Sequence, residues 1–204
     1  QLITEIYVYK FLDTTDNGIN IIGRNDMKRG FEIVSSYEGQ GLHLPQRQTK
    51  AAAGYDFEAA RDFTLPSIWK MDFIKVLWAI HHQEEVSPAQ QQLAQAALKP
   101  YLVPTGIKAY MADDEYLMLA NRSSNPLKRG LILPNGVGIV DADYYNNSGN
   151  EGEIFFQLIN YGITDITIKK GERIGQGIFM NYLTADGETG NLQTRTGGFG
   201  STKR

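Results

Sequence analysis

The 204-residue chain has no cysteine. Disulfide scaffolds, thiolate metal sites and cysteine nucleophiles are therefore excluded, and a cytosolic, cytoplasmic location is compatible with that composition. A basic excess is also missing. Twenty Lys and Arg against 23 Asp and Glu leave a formal net charge of −3, which argues against a nucleic-acid partner, since that would need a basic face. No apolar run is long and uninterrupted enough to span a bilayer, so no membrane association is expected. Residues 1–15 include Glu5, Lys10 and Asp13 and lack the continuous apolar centre of a secretory signal. Methionine is absent from position 1, and a strand-like text opens at Met27-Lys-Arg-Gly-Phe-Glu-Ile-Val. The expectation is that Met27 is the biological start and residues 1–26 an upstream, non-native extension. What the chain does have is 42% hydrophobic residues, enough for a core in one domain, or in one domain with an insertion.

From Phe31 to Phe63 short apolar runs alternate with Gly and Pro: Phe31–Val34, Gly39–Gly41, then Leu44-Pro45. Strands this short and this closely spaced indicate a mostly β sandwich or barrel rather than β-α-β units. At Ser67 the period changes. Trp69, Phe73, Val76, Leu77 and Ile80 fall on one stripe of an α-helix, and Ile74 and Trp78 widen it, which predicts a well-buried helix. Ser87-Pro88-Ala89-Gln90 supplies an N-cap, a proline at the first helical position and a capping-box glutamine. Ala89, Leu93, Ala96 and Ala97 form one side of this second helix, which stops before Pro100. A helical hairpin at about residues 67–99 inside a β chain reads as an insertion. His81-His82 with Glu84-Glu85 is read as a solvated helix end, because adjacent histidines point to different helix faces. The β text resumes in Tyr101–Tyr110 around a Pro104-Thr105-Gly106 turn, in Tyr116–Leu119, and in Leu131–Leu133 and Val137–Val140. It continues in Ile154–Ile159, Ile163–Ile168 and Arg173–Met180. The domain is thus expected over 27–184, with 185–204 a Gly-rich arm.

Chemistry-bearing residues are scattered along this text. Leu131–Leu133 and Val137–Val140 flank Pro134-Asn135-Gly136, which reads as a β-hairpin whose second strand runs into Asp141 and Asp143, then Tyr144 and Tyr145. A carboxylate at a strand end beside an aromatic suits a general base next to a ring-bearing substrate, although alone it reads more readily as the start of a turn. Arg122-Ser123-Ser124 offers a forked guanidinium with hydroxyl donors for a phosphate. Arg195-Thr-Gly-Gly-Phe-Gly-Ser201 offers backbone N–H groups to an anion and, in Phe199, a ring that could stack on a base. It lacks the strand–loop–helix setting of a Walker loop. Asp56, after Gly54, alone reads as a turn or capping acid.

Five patches occur in order: Ala53-Gly-Tyr-Asp56, Arg122-Ser-Ser124, Asn135-Gly-Val-Gly-Ile-Val-Asp-Ala-Asp-Tyr144, Arg173-Ile-Gly-Gln176 and Arg195 to Ser201. In this the sequence resembles the homotrimeric dUTPase family, over about residue 28 to the C-terminus apart from the helical insertion. Its Lys-Arg-Gly-Phe-Glu start and its insertion resemble versions from Gram-positive bacteria and their phages. The resemblance implies a distorted jelly-roll, or β-clip, fold assembled as a homotrimer with shared active sites. It also implies hydrolysis of dUTP to dUMP and pyrophosphate with Mg²⁺. Asp141 matches the general base. Tyr144 matches the floor under the deoxyribose, and Asn135 with the backbone around Gly138 matches the uracil reader. Asp56 matches the acid that helps hold hydrated Mg²⁺. Arg122, Ser123, Ser124 and Gln176 match phosphate contacts. Arg195, Gly200 and Ser201 match the γ-phosphate clamp, and Phe199 the ring that closes over uracil.

Two departures stand out. Asn146–Glu151 intervenes where the family passes directly from the tyrosines to Gly-Glu, which is expected to lengthen a loop near the site without moving Asp141. The helical insertion replaces a short loop; it could cover a trimer edge, modulate access or bind a protein partner. The nearest rival, dCTP deaminase, carries a catalytic glutamate in a Glu-Leu-x-Asn pattern. Here that text is Gln157-Leu158-Ile159-Asn160, and an amide cannot shuttle the proton. A non-enzymatic regulatory binder is the other reading, and the two can coexist.

Overall fold

The computed structural model describes residues 28–188. The expectations placed on Met27, on residues 1–26 and on residues 189–204 lie outside the described residues. Among the described residues the chain is mostly β, with two helices between the third and fourth strands.

Strand β1 (Gly30–Ile33) pairs antiparallel with β5 (Ile107–Tyr110), and β3 (Phe63–Leu65) with β10 (Ile166–Ile168). A four-stranded sheet runs in the order β2 (Tyr55–Glu58), β11 (Arg173–Asn181), β6 (Glu115–Ala120) and β8 (Val137–Asp141). A three-stranded sheet runs β4 (Tyr101–Pro104), β9 (Phe155–Asn160) and β7 (Leu131–Ile132). Burial alternates along β6 and β9 although their residue types do not. Glu115, Leu117 and Leu119 of β6 point inward, as do Phe156, Leu158 and Asn160 of β9, because successive side chains leave opposite faces of a strand.

The core lies between these sheets. Phe57 of β2 and Phe156 of β9 are fully buried, their ring centroids 5.6 Å apart, and each such side chain contributes about 1.5–3 kcal/mol by leaving water. Gly175 of β11 is what lets the sheets close here, since a Cβ at that position would come within 1.9 Å of the Phe156 ring. The Lys-Arg-Gly-Phe-Glu start has a structural account too. Arg29 forks onto the buried Glu115 carboxylate, holding its pKa below the usual carboxylate range. At Gly30 an added Cβ would strike the Tyr110 hydroxyl at 2.4 Å.

The insertion consists of α1 (Met71–His81) and α2 (Pro88–Ala97). The Ser87 capping box forms as expected, with the Ser87 hydroxyl accepting from Gln90 N–H and the Gln90 side chain accepting from Ser87 N–H. The hairpin is rooted to the β domain through Trp69 Nε1–H, which donates to Tyr161 O at 2.8 Å, and Ser67, whose hydroxyl donates to Gly162 O. Its expected burial does not hold. Of the side chains placed on the two helices, Val76 and Ala94 are buried, whereas Ile74, Leu77, Trp78, Ile80 and Leu93 are exposed. The two helices pack on each other. A two-helix unit can bury only one narrow seam, so the wide apolar stripe that the periodicity assigned to a core is left outside. His82 stacks on Trp78 at 4.1 Å, in keeping with a solvated helix end.

Two other stretches differ from the sequence reading. Gly39–Gly41 and Leu44-Pro45 form no strands; a 3-10 turn at Ser35–Tyr37 and an isolated bridge from Gln46 to Asp56 take their place. The Ala-rich text around Asp56, which carries no clear alternation, contains β2, so Asp56 is a strand residue rather than a turn acid.

Candidate active site

The site is organised around the turn at Pro134-Asn135-Gly136. Gly136 N–H donates to Leu133 O at 3.0 Å, and Gly136 has φ of +72°, a left-handed value that favours glycine. The two arms do not form the expected hairpin. β7 pairs with β9 and β8 pairs with β6, so the arms part into different sheets at the turn. A cavity of about 240 Å³ opens between them. Asn135, Gly138, Tyr144 and Gln157 line it, with Leu119, Leu133, Ile139, Val140, Ile154 and Phe155. Two carboxamides in a slot of mixed polar and apolar lining suit a flat heterocycle that must be both oriented and enclosed. A volume below the range of drug-sized sites suits one part of a ligand rather than a whole extended triphosphate. Gln157 was not among the site residues expected from sequence, although its place in the Gln-Leu-Ile-Asn text was the available signal.

Asp141 ends β8, opposite Tyr116, and a 3-10 turn over Ala142–Tyr144 follows. Asp141 is the extended N-cap residue before this turn, and Tyr144, which ends it, lines the cavity. Tyr144 is buried, and its hydroxyl donates to Glu153 O at 3.0 Å and accepts from Asn150 Nδ2 at 2.8 Å.

The extra residues Asn146–Glu151 are stitched down rather than looped out. Asn147 Nδ2 donates to Tyr144 O, while its Oδ1 accepts from the N–H groups of Gly149 and Asn150. Lys108, nearly buried, donates to Asn146 Oδ1 at 2.7 Å and Glu151 Oε1 at 2.5 Å. With Ser35 also donating, the Lys108 ammonium holds the Glu151 carboxyl down at about 2. Burial pushes the neighbouring Glu153 carboxyl the other way, above its usual range.

A second constellation gathers cations. Across the four-stranded sheet Asp56 faces Gln176, and Gln176 faces Ala120. Asp56 accepts from Arg173 Nη1 at 3.0 Å and pairs with Arg122 Nε at 3.3 Å. Gln176 Nε2–H donates to Asn121 O, and its amide packs on Gly54, where a Cβ would meet Oε1 at 2.4 Å. Ser123 is exposed beside Arg122, and Ser124 precedes a π-helical turn over Asn125–Arg129. Arg173, unlike Arg122, was not read as a site residue, yet it lies in the same Arg-Ile-Gly-Gln patch as Gln176. Two guanidiniums on one carboxylate leave a net positive patch fit for a polyanion.

For a divalent metal the fit is limited. Among the described residues no group of three or more acid or histidine side chains could hold an ion, and both Asp56 oxygens already face arginines. These residues suit a hydrated ion that arrives on the phosphates rather than a resident one. The polyanion patch meets the cavity at one end of β6, where Ala120 pairs with both Gln176 and Val137 beside the lining Leu119 and Gly138, whereas Asp141 lies toward the other end of that strand. Arg122 lies six positions beyond Tyr116, the partner of Asp141, or about 20 Å at about 3.3 Å per residue. Arg195, Phe199, Gly200 and Ser201 lie outside the described residues.

The dUTPase family profile matches residues 86–203. A deoxyuridine 5'-triphosphate nucleotidohydrolase of Lactococcus lactis subsp. lactis is 44% identical over 175 residues, spanning 85% of this chain and 97% of that relative. The chain belongs to the dUTPase family. A solved dUTPase from Streptococcus mutans superposes with a TM-score of 0.60 at 39% identity, covering 78% of this chain and 99% of that one. The dUTPase of Staphylococcus bacteriophage 80alpha, solved with dUpNHpp, has a TM-score of 0.53 at 15% identity over 82% and 90% of the two chains, a likeness of fold alone. The dUTPase fold expected from the five patches is thus the fold observed. Among the described residues no helix is long and apolar enough to cross a membrane.

Proposed function

We propose that this dUTPase-family chain hydrolyses dUTP to dUMP and pyrophosphate, limiting uracil entry into DNA and supplying dUMP for thymidylate synthesis. The observation that carries the reading is the slot between the two arms of the turn. Asn135, Gly138 and Tyr144 line one cavity, and Asp141 stands three residues before Tyr144 at the end of β8. Asn135 and the Gly138 backbone hold the uracil edge, and the Tyr144 ring lies under the deoxyribose where a ribose 2'-hydroxyl would not fit. Asp141 takes a proton from a water as its oxygen bonds to the α-phosphorus; the bond to the bridging oxygen breaks and pyrophosphate leaves. Arg122, Ser123, Ser124 and Gln176 hold the phosphates, and Arg195, Gly200 and Ser201 clamp the terminal one while Phe199 closes over the base. Asp56 would help hold the hydration shell of a Mg²⁺ ion arriving with the triphosphate, which would supply charge neutralisation.

The roughly 20 Å between Asp141 and Arg122 along one chain supports sites shared between subunits of a homotrimer, since one substrate must reach both. The lining amide of Gln157 speaks against deamination, because no acid stands there to carry the proton. The test is pyrophosphate release from dUTP, dTTP, dCTP and UTP, with and without Mg²⁺. Activity is expected on dUTP alone, and equal turnover of dTTP or UTP would contradict the assignments. Asp141→Asn should abolish turnover while leaving nucleotide binding largely intact.

A second role rests on the exposed apolar face of the helical hairpin. Trp78, Ile80 and Leu93 are each more than half exposed, a pattern that favours a protein-contact surface. Replacing the three with polar residues should leave dUTP turnover near the parent. Sedimentation then separates a subunit neighbour, whose loss changes the assembly, from a separate regulatory partner, whose loss does not.

A further inference from the structure

The loop Asn146–Gly152 grips Tyr144 at both ends of the residue. At the hydroxyl, Asn150 Nδ2 donates to Tyr144 Oη at 2.8 Å, and the hydroxyl passes its own proton to Glu153 O at 3.0 Å. The same Asn150 Nδ2 also reaches Glu153 O at 3.2 Å. At the backbone, Asn147 Nδ2 donates to Tyr144 O at 2.9 Å. Gly152, at φ of +83°, passes so close that an added Cβ would meet Tyr144 O at 2.7 Å. The loop is in turn anchored away from the site through Glu151, on Lys108 and on Ser35. Tyr144 therefore uses its hydroxyl on the protein and offers its ring to the cavity it lines.

We propose that Asn150 is a positioning residue for Tyr144, and that the inserted loop fixes the depth of that ring and so the discrimination between 2'-deoxyribose and ribose. The inference rests on the reading of Tyr144 as the floor of the sugar site. A phenol ring held only by packing can slide along its own plane; two hydrogen bonds converging on its hydroxyl fix where the edge stops. A sugar that differs by one hydroxyl is rejected only if that edge cannot retreat.

Asn150→Asp separates the grip from the loop. Asn150 Oδ1 accepts from Gly152 N–H and from Asn147 Nδ2, and a carboxylate keeps both bonds. The donation to Tyr144 and Glu153 is lost, because an ionised carboxylate accepts only; the Tyr144 hydroxyl can then turn its own proton from Glu153 O to the new carboxylate, which loosens the two-bond grip to one. Tyr144→Phe removes the same hydroxyl from the other side without touching the loop. Steady-state kcat/KM is measured on dUTP and UTP for the parent, both single variants and the double variant. The ratio of dUTP to UTP is expected to fall about tenfold in Tyr144→Phe, the scale of one hydrogen bond in a transition state, and by less in Asn150→Asp, where one of the two bonds on the hydroxyl can re-form. The fall should come through a higher kcat/KM on UTP, and the double variant should lose no more than Tyr144→Phe alone. A merely structural role would instead lower thermal stability and leave the ratio alone. Should Asn150→Asp fail to fold, Tyr144→Phe carries the test by itself. An unchanged ratio in Tyr144→Phe, or additive losses in the double variant, overturns the proposal. Tyr144→Ala distinguishes the two levels of the argument. If it relaxes the ratio while Tyr144→Phe does not, the sugar-floor reading stands and the positioning role falls. If it leaves the ratio unmoved, the sugar-floor reading itself falls.

Discussion

Lys108→Met is the substitution whose consequences the structure specifies most fully. The methionine keeps an unbranched apolar stem in a nearly buried position and removes only the ammonium. In the parent that ammonium touches Asn146 at 2.7 Å and Glu151 at 2.5 Å, stands 3.8 Å from Glu32 and lies 5.3 Å from the centre of the Tyr145 ring. Without it, Glu32 and Glu151 face each other with no cation between them. Stranding a partner of a fully buried pair costs about 3–5 kcal/mol. Here the Glu151 side chain is 33% exposed and Glu32 25%, so water screens part of the repulsion and about 2 kcal/mol is expected. In a chain of this length that lowers the melting temperature by about 4–8 °C, read by circular dichroism at fixed chain concentration because assembly shifts the midpoint. The pH dependence is the sharper readout. Glu151 has its carboxyl held at about 2, below an ordinary value of 4.5. A depressed carboxyl contributes stability that is complete above the unfolded value and is lost as pH falls toward the folded one. The penalty of Lys108→Met should therefore be full at neutral pH, shrink below pH of about 4.5 and nearly vanish by about 2. Adding Glu151→Gln to Lys108→Met should restore part of the loss. A variant as stable as the parent at neutral pH, or a penalty equal at pH 7 and pH 3, would refute the reasoning.

Three other outcomes are expected. Gly175→Ala drives a methyl into the Phe156 ring, and overpacking of this kind costs about 1–3 kcal/mol or more, visible in urea unfolding; Phe156→Leu in the same chain should recover part of it. Gly54→Ala pushes the Gln176 amide off its seat, so KM for dUTP should rise several-fold, about 1 kcal/mol of lost phosphate contact, with thermal stability changed much less. Glu153→Gln keeps the acceptor for Gly106 N–H and removes a carboxylate that burial disfavours. Because the Glu153 pKa is raised, its charge opposes folding at neutral pH, so the variant should melt higher than the parent there and lose that advantage as pH falls through the carboxyl's range.

Much of the β framework was legible from the residue types of its strands. Leu117 and Leu119 in β6, and Phe156 and Leu158 in β9, fall in short runs rich in apolar and aromatic residues, and such runs read as strands. The start of α2 was legible for a local reason, since Ser87 and Gln90 complete their capping box within four residues. Strand β2 was not legible. Tyr55-Asp-Phe-Glu58 owes its extended form to β11, a partner more than a hundred positions away. The burial of α1 was misjudged because periodicity reports that a helix has an apolar face and is silent on whether anything covers it. The site shows the same division. Asn135, Gly138 and Tyr144 fall within ten consecutive residues, and the cavity collects all three. Gln157 and Arg173 reach their places only through cross-strand pairing, and the grip of Asn150 on Tyr144 depends on how an irregular loop folds back.

The parting of β7 and β8 at Asn135 has a consequence for how selectivity could drift. In a simple hairpin the width of the slot would be a local property, set by the turn and its first pair of residues. Here the two walls are edges of separate sheets, so the slot is a gauge of the spacing between those sheets. That spacing is set deep in the interior, where Phe57 and Phe156 meet and Gly175 lets them approach. Substitutions there, touching no substrate, would tune which pyrimidine is admitted. On the proposed function, the same packing that keeps the protein folded acts as the calliper on its substrate.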